Sequence, residues 1–375
     1  MHGANNKLPG WPKNRMKAEK TTIEPGATIG ILGGGQLGRM LSIAAAQLGY
    51  RCHIFAPEEN APATDVSAEV TRAAYDDLDA LKRFGTQVDI VTYEFENIDS
   101  APVAALSEWV AVRPSVAALE VAQDRLAEKD FVSELGGSPA PYRAVSSREG
   151  LDMALAGVGT PAILKTRRFG YDGKGQARIM TPADTDAAWN AIGSHPAVLE
   201  GLVTFEREFS VILARGVDGQ IVFWDSPDNE HRQGILAQST VPAGAVVAGQ
   251  VEQARALAAA VAEALNYAGV LTLEFFAGES GPVFNEMAPR VHNSGHWTIE
   301  GARTSQFENH IRAVCGLPLG ATDLAAPGVR MANLIGGEVH DWPRLLADPH
   351  AHLHLYGKGE ARPGRKMGHV TWVDF

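Results

Sequence analysis

The first part of the chain alternates short apolar runs with amphipathic stretches. The runs Thr28–Leu32, Arg51–Phe55 and Asp89–Tyr93 have the length and apolar content of buried strands. Helical spacing of apolar residues marks Leu41–Leu48 and Leu78–Phe84 between them. Because strands separated by helices pair in parallel through crossover connections, we expect a doubly wound sheet over about the first 115 residues.

Beyond the Pro- and Gly-containing stretch Gly136–Pro141, predicted strands follow one another with few helices between them. An Ala-rich amphipathic helix is expected at Val251–Leu265, and a hairpin is expected to follow it. The pattern therefore predicts an α/β domain followed by an α+β body. The expected strands are Ala162–Lys165, Ala197–Glu200, Phe209–Ala214, Ile221–Trp224 and the hairpin pair Val270–Phe276 and Val283–Glu286.

Composition narrows the classes of protein that the chain can belong to. At 375 residues, 45% hydrophobic and 21% charged, it is typical of a globular protein of two or three domains. No apolar run approaches the roughly 18 residues of a membrane helix, and the first 27 residues lack the apolar core of a signal peptide, so a mobile tail is expected there. Two cysteines, Cys52 and Cys315, suit a reducing cytoplasm. A net charge of −11 argues against a nucleic-acid partner.

Three glycines form a G-x-G-x-x-G turn between the first strand and the first helix, at Gly33, Gly35 and Gly38. Such a turn brings backbone N–H groups close to an anion at a helix N-terminus. A nicotinamide dinucleotide would need an acidic residue at the end of the second strand, but that strand ends in Phe55-Ala56-Pro57. A small phosphorylated substrate fits the turn best, and a tight turn without a ligand remains the alternative.

Two acidic residues, Glu94 and Glu96, follow the third strand at its carboxyl end, where open α/β sheets place their binding sites. A solvated pair of loop carboxylates is an equally good interpretation of the same pattern.

A second motif follows the strand that ends in Lys165. It runs RRFGYDGKGQ from Arg167 to Gln176, and its glycines and cations are typical of a loop that closes over phosphates. It does not contain the P-loop pattern, and a structural basic hairpin is the alternative. Tyr171 and Asp172 at its tip would place a proton acceptor beside the phosphates.

Two glutamates interrupt the predicted hairpin, Glu274 in VLTLEF and Glu286 in VFNE. With a turn centred on Ser280 they lie opposite each other on one face. Two bare carboxylates repel each other among apolar neighbours, and a hard cation such as Mg²⁺ shared with ATP phosphates resolves the conflict. Ion pairs with arginines such as Arg290 are the alternative. The polar run RVHNSGHWT that follows supplies donors for a carboxylate or an acyl-phosphate.

Taken together, these motifs resemble those of a known family. Lys165, the glycine-rich loop, the run Glu200 to Val203 and the two glutamates resemble the ATP-grasp superfamily. The motifs GGGQLGRM, VTYEFENI, RRFGYDGKGQ, NEMAPRVHNSGHWT and RPGRKMGH, in this order from about residue 28 to about residue 370, resemble the 5-(carboxyamino)imidazole ribonucleotide synthases. These are ATP-dependent carboxylating enzymes of purine synthesis, commonly homodimers.

The resemblance implies a domain division and a role for each matching residue. The expected division is a tail at 1–27, a Rossmann-like pre-ATP-grasp domain at 28–128, an ATP-grasp domain at 129–315 and a small C-terminal β-rich subdomain at 316–375. The positions that match ATP-binding residues are Arg125, Lys165, Gly170, Tyr171, Asp172, Gly173, Lys174, Gly175, Gln176, Glu200, Gly201, Leu202, Val203, Glu208, His231, Asn285 and Glu286. Glu274 and Glu286 match the Mg²⁺ ligands.

The remaining matches concern the other two substrates. Gln36 and Leu37, together with Glu94, are expected to bind aminoimidazole ribonucleotide, with Lys358, Arg365 and Lys366 around its phosphate. Arg290, His292 and Asn293 match the bicarbonate pocket. The loop carries Lys174 where relatives often have Arg, and Lys cannot make the bidentate contact of Arg.

The expected reaction is attack of bicarbonate on the γ-phosphorus of ATP, followed by capture of CO₂ by the exocyclic amine of the ribonucleotide. The expected catalytic residues are Tyr171, Asp172, Lys174, Arg290, His292 and Asn293, with Asp172 or else His292 as general base. A dehydrogenase, a non-catalytic nucleotide sensor, and a formate-using or biotin-carboxylating ligase are the competing hypotheses.

Overall fold

The computed structural model describes residues 22–168, 170 and 175–374. The expected parallel sheet is present near the N-terminus, in the strand order β3-β2-β1-β4. Its central strands, β1 and β2, are buried over four of their five residues, which explains their largely apolar sequence. Its elements are β1 (Thr28–Leu32), α1 (Gln36–Gln47), β2 (Arg51–Phe55), β3 (Glu69–Thr71), α2 (Leu78–Gly85), β4 (Ile90–Tyr93) and α3 (Ser100–Leu106).

Two helices lead from this sheet to a small antiparallel one with the strand order β5-β8-β6-β7. Two further helices lie between its strands, and the apolar faces of sheet and helices form a separate core. The elements are α4 (Val116–Ala122), α5 (Arg125–Glu134), β5 (Tyr142–Val145), α6 (Arg148–Val158), β6 (Ala162–Thr166), β7 (Gln176–Ile179), α7 (Thr185–Ala191) and β8 (Ala197–Gly201).

The largest sheet has nine strands in the order β14-β13-β9-β11-β12-β15-β17-β16, with β10 on β9. The helix predicted from Val251 packs on one of its faces through Ala254, Ala258 and Val261. The elements are β9 (Arg207–Arg215), β10 (Ile221–Phe223), β11 (Asp228–Arg232), β12 (Ile235–Val241), α8 (Ala245–Ala248), α9 (Val251–Ala264), β13 (Gly269–Gly278), β14 (Gly281–Ala288), α10 (Thr298–Gly301), α11 (Gln306–Val314), β15 (Gly328–Ile335), α12 (Trp342–Leu346), β16 (Ala351–Leu355) and β17 (Lys366–Asp374).

The C-terminal strands do not form a sheet of their own. Strand β15 pairs antiparallel with β12, so β15, β17 and β16 extend the nine-stranded sheet. Within the described residues, no helix is both long and apolar enough to span a membrane.

The residues just before β1 contact the body of the protein, although the sequence predicts a tail up to residue 27. The Ile23 N–H donates to the Cys315 carbonyl at 2.8 Å, and the Tyr50 hydroxyl donates to the Ile23 carbonyl at 2.6 Å. Ile23 is partly buried against the core, and this packing explains why the expectation is wrong for this segment. The rest of the predicted tail, residues 1–21, lies outside the described residues.

Candidate active site

A cleft of about 1310 Å³ lies where the three sheets meet. It collects every described residue that the sequence assigns to a site, with the exception of Gly175. Those lining it are Gln36, Leu37, Glu94, Arg125, Lys165, Gly170, Gln176, Glu200, Gly201, Leu202, Val203, Glu208, His231, Glu274, Asn285, Glu286, Arg290, His292, Asn293, Lys358, Arg365 and Lys366. Tyr171, Asp172, Gly173 and Lys174 lie outside the described residues.

The two glutamates of the hairpin are paired across β13 and β14, Glu274 opposite Glu286, as predicted. The turn is one residue tighter than a turn centred on Ser280, because Gly278 pairs with Gly281. A bulge at Asn285 restores the register, since Phe275 pairs with Phe284 and Glu274 with Glu286. The bulge also explains how two consecutive residues, Asn285 and Glu286, both line the cleft.

Each of these glutamates has a cationic or hydrogen-bonding partner. Arg125 Nη1 donates to Glu286 Oε2 at 2.9 Å, and His292 Nε2 lies 2.9 Å from Glu274 Oε1. Burial disfavours the charge on Glu286, but Arg125 outweighs it and lowers the pKa of Glu286 to about 2. The predicted alternative of arginine pairing is therefore correct for Glu286, although the arginine is Arg125 and not Arg290.

A buried cluster of charges lies at the start of the small sheet. Lys165 Nζ donates to Glu200 Oε2 at 2.9 Å, and Lys129 Nζ lies 3.3 Å from the same oxygen. Lys129 also donates to the Asn285 carbonyl at 3.2 Å, which connects the small sheet to the nine-stranded one. Burial lowers the pKa of Lys165, whereas the two lysines lower the pKa of Glu200 in spite of its burial.

Arg290 belongs to a different pair, which joins the N-terminal sheet to the hairpin. Its guanidinium donates to both carboxylate oxygens of Glu96, with Nη2 to Oε1 at 2.8 Å. Burial opposes the charge on Glu96, but Arg290 lowers the pKa of that carboxyl group. The interpretation of Glu96 as a solvated loop acid is wrong, because the side chain fixes the arginine beside the cleft.

Asn293 and the Glu208–His231 pair supply further polar groups. The amide nitrogen and oxygen of Asn293 are buried without a partner in the part of the chain that the structure describes. Such orphaned groups are rare unless a ligand satisfies them. His231 Nδ1 lies 2.8 Å from Glu208 Oε2. Burial disfavours a charge on His231, but the bond to Glu208 raises its pKa above the ordinary value.

The glycine turn holds a carboxylate of the protein itself. The backbone N–H groups of Gly35 and Gly38 both donate to Glu94, the latter to Oε2 at 2.8 Å. A Cβ at Gly35 would lie 2.5 Å from Glu94 Oε1, so the glycine is required for this approach. Glu94 therefore takes the anion position that sequence reasoning assigned to a phosphate, and it is not a solvated loop acid. Gln36 and Leu37, one residue further on, remain on the cleft wall.

The C-terminal cations surround the same end of the cleft. Lys358 Nζ donates to the Lys366 carbonyl at 2.8 Å, and Arg365 Nη1 donates to the Glu360 carbonyl at 3.0 Å. Both bonds fold the segment between β16 and β17 back on itself, and this brings Lys358, Arg365 and Lys366 to the wall that Gln36 and Leu37 share.

Several residues of the site escaped sequence reasoning. Phe205 and Phe276 stack at 4.6 Å between ring centroids and line the cleft. Phe276 is two positions from Glu274 on the same strand face, and that spacing is a signal for it. Lys129 and Arg125 lie four apart on α5, which is a signal for Lys129. Glu128 accepts the Met287 N–H at 2.6 Å, and burial raises its pKa to about 8.

A cleft between a small antiparallel sheet and a larger one, with paired glutamates opposite a buried lysine, defines an ATP-grasp protein. The chain matches the model of the ATP-grasp domain over residues 130–307. It also matches the ribonucleotide synthetase preATP-grasp domain over 26–123 and the phosphoribosylaminoimidazole carboxylase C-terminal domain over 330–374.

Comparison with individual proteins makes the assignment more specific. The chain is 51% identical to the N5-carboxyaminoimidazole ribonucleotide synthase of Brucella melitensis, over 95% of this chain and 98% of that protein. The solved structure of the Thermus thermophilus synthetase is similar at a TM-score of 0.86 and 46% identity, covering 92% of this chain and 93% of that one. The Aspergillus clavatus synthase, solved with ADP and 5-aminoimidazole ribonucleotide, is similar at a TM-score of 0.86 and 30% identity, with the same coverage. The chain belongs to the N5-carboxyaminoimidazole ribonucleotide synthase family.

Proposed function

We propose that the protein carboxylates the exocyclic amine of 5-aminoimidazole ribonucleotide with bicarbonate and ATP. The products are N5-carboxyaminoimidazole ribonucleotide, ADP and phosphate, and the reaction belongs to purine biosynthesis. The observation that carries the proposal is a single cleft that holds the lysine–glutamate cluster, the paired hairpin glutamates, Arg290 with His292 and Asn293, and the C-terminal cations. The first two groups suit Mg-ATP, the third suits bicarbonate and the fourth suits the phosphate of the ribonucleotide, so one cavity can hold all three substrates.

ATP fits the part of the cleft between the small sheet and the hairpin. Lys165 and Arg125 would contact its phosphates, and both already lie beside carboxylates that hold them in place. The segment Glu200–Val203 would contact the polar edge of the adenine base, and the ribose would lie beside Glu208 and His231. Phe276, Ile163 and Leu236 line the same region and supply apolar contacts for a base.

The hairpin carboxylates fit Mg²⁺. Both supply carboxylate oxygens on one face of the β13–β14 hairpin, and Arg125 lowers the pKa of Glu286 to about 2 in spite of its burial. No group of three or more His, Cys, Asp or Glu residues suited to a metal occurs among the described residues. Two carboxylates suffice for Mg²⁺ when nucleotide phosphates and water complete its shell. Glu274 and Glu286 would hold the ion, which when bound offsets the charge of the triphosphate.

Bicarbonate fits beside Arg290, His292 and Asn293. A bicarbonate oxygen attacks the γ-phosphorus of ATP, and the bond between that phosphorus and the β-phosphate oxygen breaks. The products of this step are carboxyphosphate and ADP. Carboxyphosphate releases phosphate and CO₂, and the amine of the ribonucleotide attacks the CO₂ carbon and loses one proton. Arg290 and the Asn293 amide would bind the anionic oxygens throughout. Asp172 stays our candidate for the proton acceptor, and Tyr171 and Lys174 stay candidate catalytic residues.

The ribonucleotide fits the end of the cleft between α1 and the C-terminal segment. Lys358, Arg365 and Lys366 would bind its phosphate, and Gln36 and Leu37 would contact the remainder. Glu94 holds the glycine turn in shape beneath the ligand. A phosphate that binds these cations does not need the helix N-terminus, which Glu94 occupies.

The test is ADP release with Mg-ATP and ¹⁴C-bicarbonate, with and without aminoimidazole ribonucleotide, repeated with formate in place of bicarbonate. We expect label in the ribonucleotide product and ADP release that needs both substrates. Release that is indifferent to the ribonucleotide, or that formate supports equally, would exclude the assignment. Glu274→Gln should lose turnover and retain binding of the ribonucleotide.

Three further statements complete the proposal. We infer a homodimer, which sedimentation velocity tests, and a cytoplasmic location, which cell fractionation tests. The domain limits 28–128, 129–315 and 316–375 also stay predictions, which limited proteolysis tests.

A further inference from the structure

A row of buried polar side chains runs across the nine-stranded sheet beside Glu274 of the hairpin. The row starts at Ser210 on β9, which is paired with Glu274 on β13. It continues through Asn229 on β11 to Ser239 on β12, which are paired with each other. Ser210 and Ser239 are fully buried and Asn229 is 6% exposed, although the neighbouring positions Ile212 and Ala214 on the same face of β9 are apolar core.

The row is bonded from end to end. Ser239 Oγ donates to Asn229 Oδ1 at 2.7 Å, and Asn229 Nδ2 donates to Ser210 Oγ at 2.7 Å. Ser294, from the 3₁₀ turn Asn293–Gly295, donates its hydroxyl to Ser210 Oγ at 2.9 Å. Because buried polar groups are costly unless bonded, the members hold one another in a single arrangement.

The row ends at His292. The Ser294 hydroxyl oxygen lies 2.8 Å from His292 Nδ1, and the Ser294 backbone nitrogen lies 3.3 Å from the same ring nitrogen. Two contacts from one residue therefore fix the Nδ1 side of the imidazole inside the protein. Only Nε2 is directed to the cleft, where it lies 2.9 Å from Glu274 Oε1.

We propose that Ser210, Asn229 and Ser294 are positioning residues that hold the His292 imidazole with Nε2 directed at the bicarbonate subsite. The inference rests on the proposed function for the identity of that ligand. The network contacts neither the lysine–glutamate cluster nor the C-terminal cations, and its side-chain bonds reach Glu274 only through His292. Its loss should therefore affect bicarbonate use most and the use of ATP and ribonucleotide much less. Hydrogen bonds that fix the His292 imidazole on its Nδ1 side give Nε2 the precise position that chemistry on a reactive intermediate needs.

The first test measures the KM for each substrate in Ser210→Ala, which removes the hydroxyl to which both Asn229 and Ser294 bond. We expect the KM for bicarbonate to rise about tenfold, the effect of one lost hydrogen bond to a positioned group, with the KM for ATP and ribonucleotide changed less than about twofold. Ser239→Ala, at the far end of the row, should give a smaller rise in the same constant. Ser226→Ala is the matched control, because Ser226 is a buried serine whose hydroxyl has no partner among the described residues.

The second test does not need carboxylation. In ¹⁵N-histidine-labelled protein, with His292→Gln used to assign the signal, wild-type His292 should show one ring environment and Ser210→Ala should show averaging or a shifted Nδ1 resonance. An unchanged His292 spectrum, or an equal rise of all three KM values, would overturn the proposal. If the wild type fails to carboxylate the ribonucleotide, the proposed function fails, whereas the spectrum still decides the positioning role.

Discussion

At the scale of single residues, the cleft depends on charges that the protein pairs internally. Glu286 has Arg125, Glu96 has Arg290, and Glu200 has two lysines. Such pairs keep the carboxylates ionised in spite of burial, and they place cations where an anionic substrate can share them.

Lys129 illustrates how much one such residue contributes. It is fully buried and binds both the Glu200 carboxylate and the Asn285 carbonyl. Lys129→Met should remove about 3 kcal/mol of stability, because a buried carboxylate loses one of its two cations. It should also raise the KM for ATP, since Lys165 is left to neutralise Glu200 alone. Urea unfolding and steady-state kinetics measure the two effects.

The matched control is Lys82→Met, because Lys82 is exposed and lies over the Trp109 ring. It should change stability by less than about 0.5 kcal/mol. Equal losses in the two variants would show that the charge of Lys129 does not stabilise the Glu200 carboxylate.

The sequence reveals a site residue best where the residue type conflicts with its surroundings. Glu274 stands out in the apolar run of β13, and Glu286 stands out in β14. The structure pairs the two residues across the hairpin. Lys129 is not conspicuous, because a lysine on a helix is ordinary and nothing local shows that this one is buried. Ser210 and Asn229 escaped for the same reason.

At the scale of elements, the N-terminus of α1 depends on a residue from another strand. No side chain of the helix itself caps it, and Glu94 accepts two of its N–H groups instead. Sequence reasoning predicted the turn and its glycines, but not their partner, because Glu94 follows Gly35 by 59 positions. Local pattern cannot specify a contact made by chain folding.

The capping role predicts a loss of stability in Glu94→Leu. The variant leaves two N–H groups without their acceptor at the positive end of a helix, which should cost about 2 kcal/mol. Glu94→Gln keeps an oxygen acceptor and should cost less. Denaturant unfolding compares the two with Glu58→Leu, an exposed position near the same turn. Equal stability of Glu94→Leu and Glu58→Leu would refute the capping role.

At the scale of the whole molecule, the sequence predicted the division into an α/β part and an α+β body, and the structure adds how the parts join. Strand β15 pairs with β12 across nearly 100 positions, for example Gln238 with Ala332, and this makes one sheet of two predicted units. Periodicity specifies which residues are strands, whereas the pairing of distant strands depends on the three-dimensional packing.

His310 joins the N-terminal sheet to the body. Its Nδ1 accepts the Val270 N–H of β13 at 3.1 Å, and its Nε2 lies 2.8 Å from the Thr92 hydroxyl of β4. Burial lowers the pKa of His310 to about 3, so the ring stays neutral in the folded protein over most of the acid range. A neutral ring both accepts and donates, which the two bonds require.

Acid should therefore lower the free energy of unfolding, because His310 takes up a proton more readily in the unfolded chain than in the folded protein. In the unfolded chain the imidazole takes up a proton below its ordinary pKa of about 6.5, whereas the folded ring does not until about pH 3. The free energy of unfolding consequently falls as the pH drops between these values, and His310 should contribute a loss of about 2 kcal/mol between pH 7.5 and 5.0. His310→Gln should be less stable at pH 7.5 but should lose about 2 kcal/mol less on acidification. Urea unfolding at both pH values measures this, and exposed His195→Gln should retain the wild-type dependence. Parallel pH profiles for His310→Gln and the wild type would mean that the folded protein protonates the His310 ring as readily as the unfolded chain does. The junction would then not depend on a neutral imidazole.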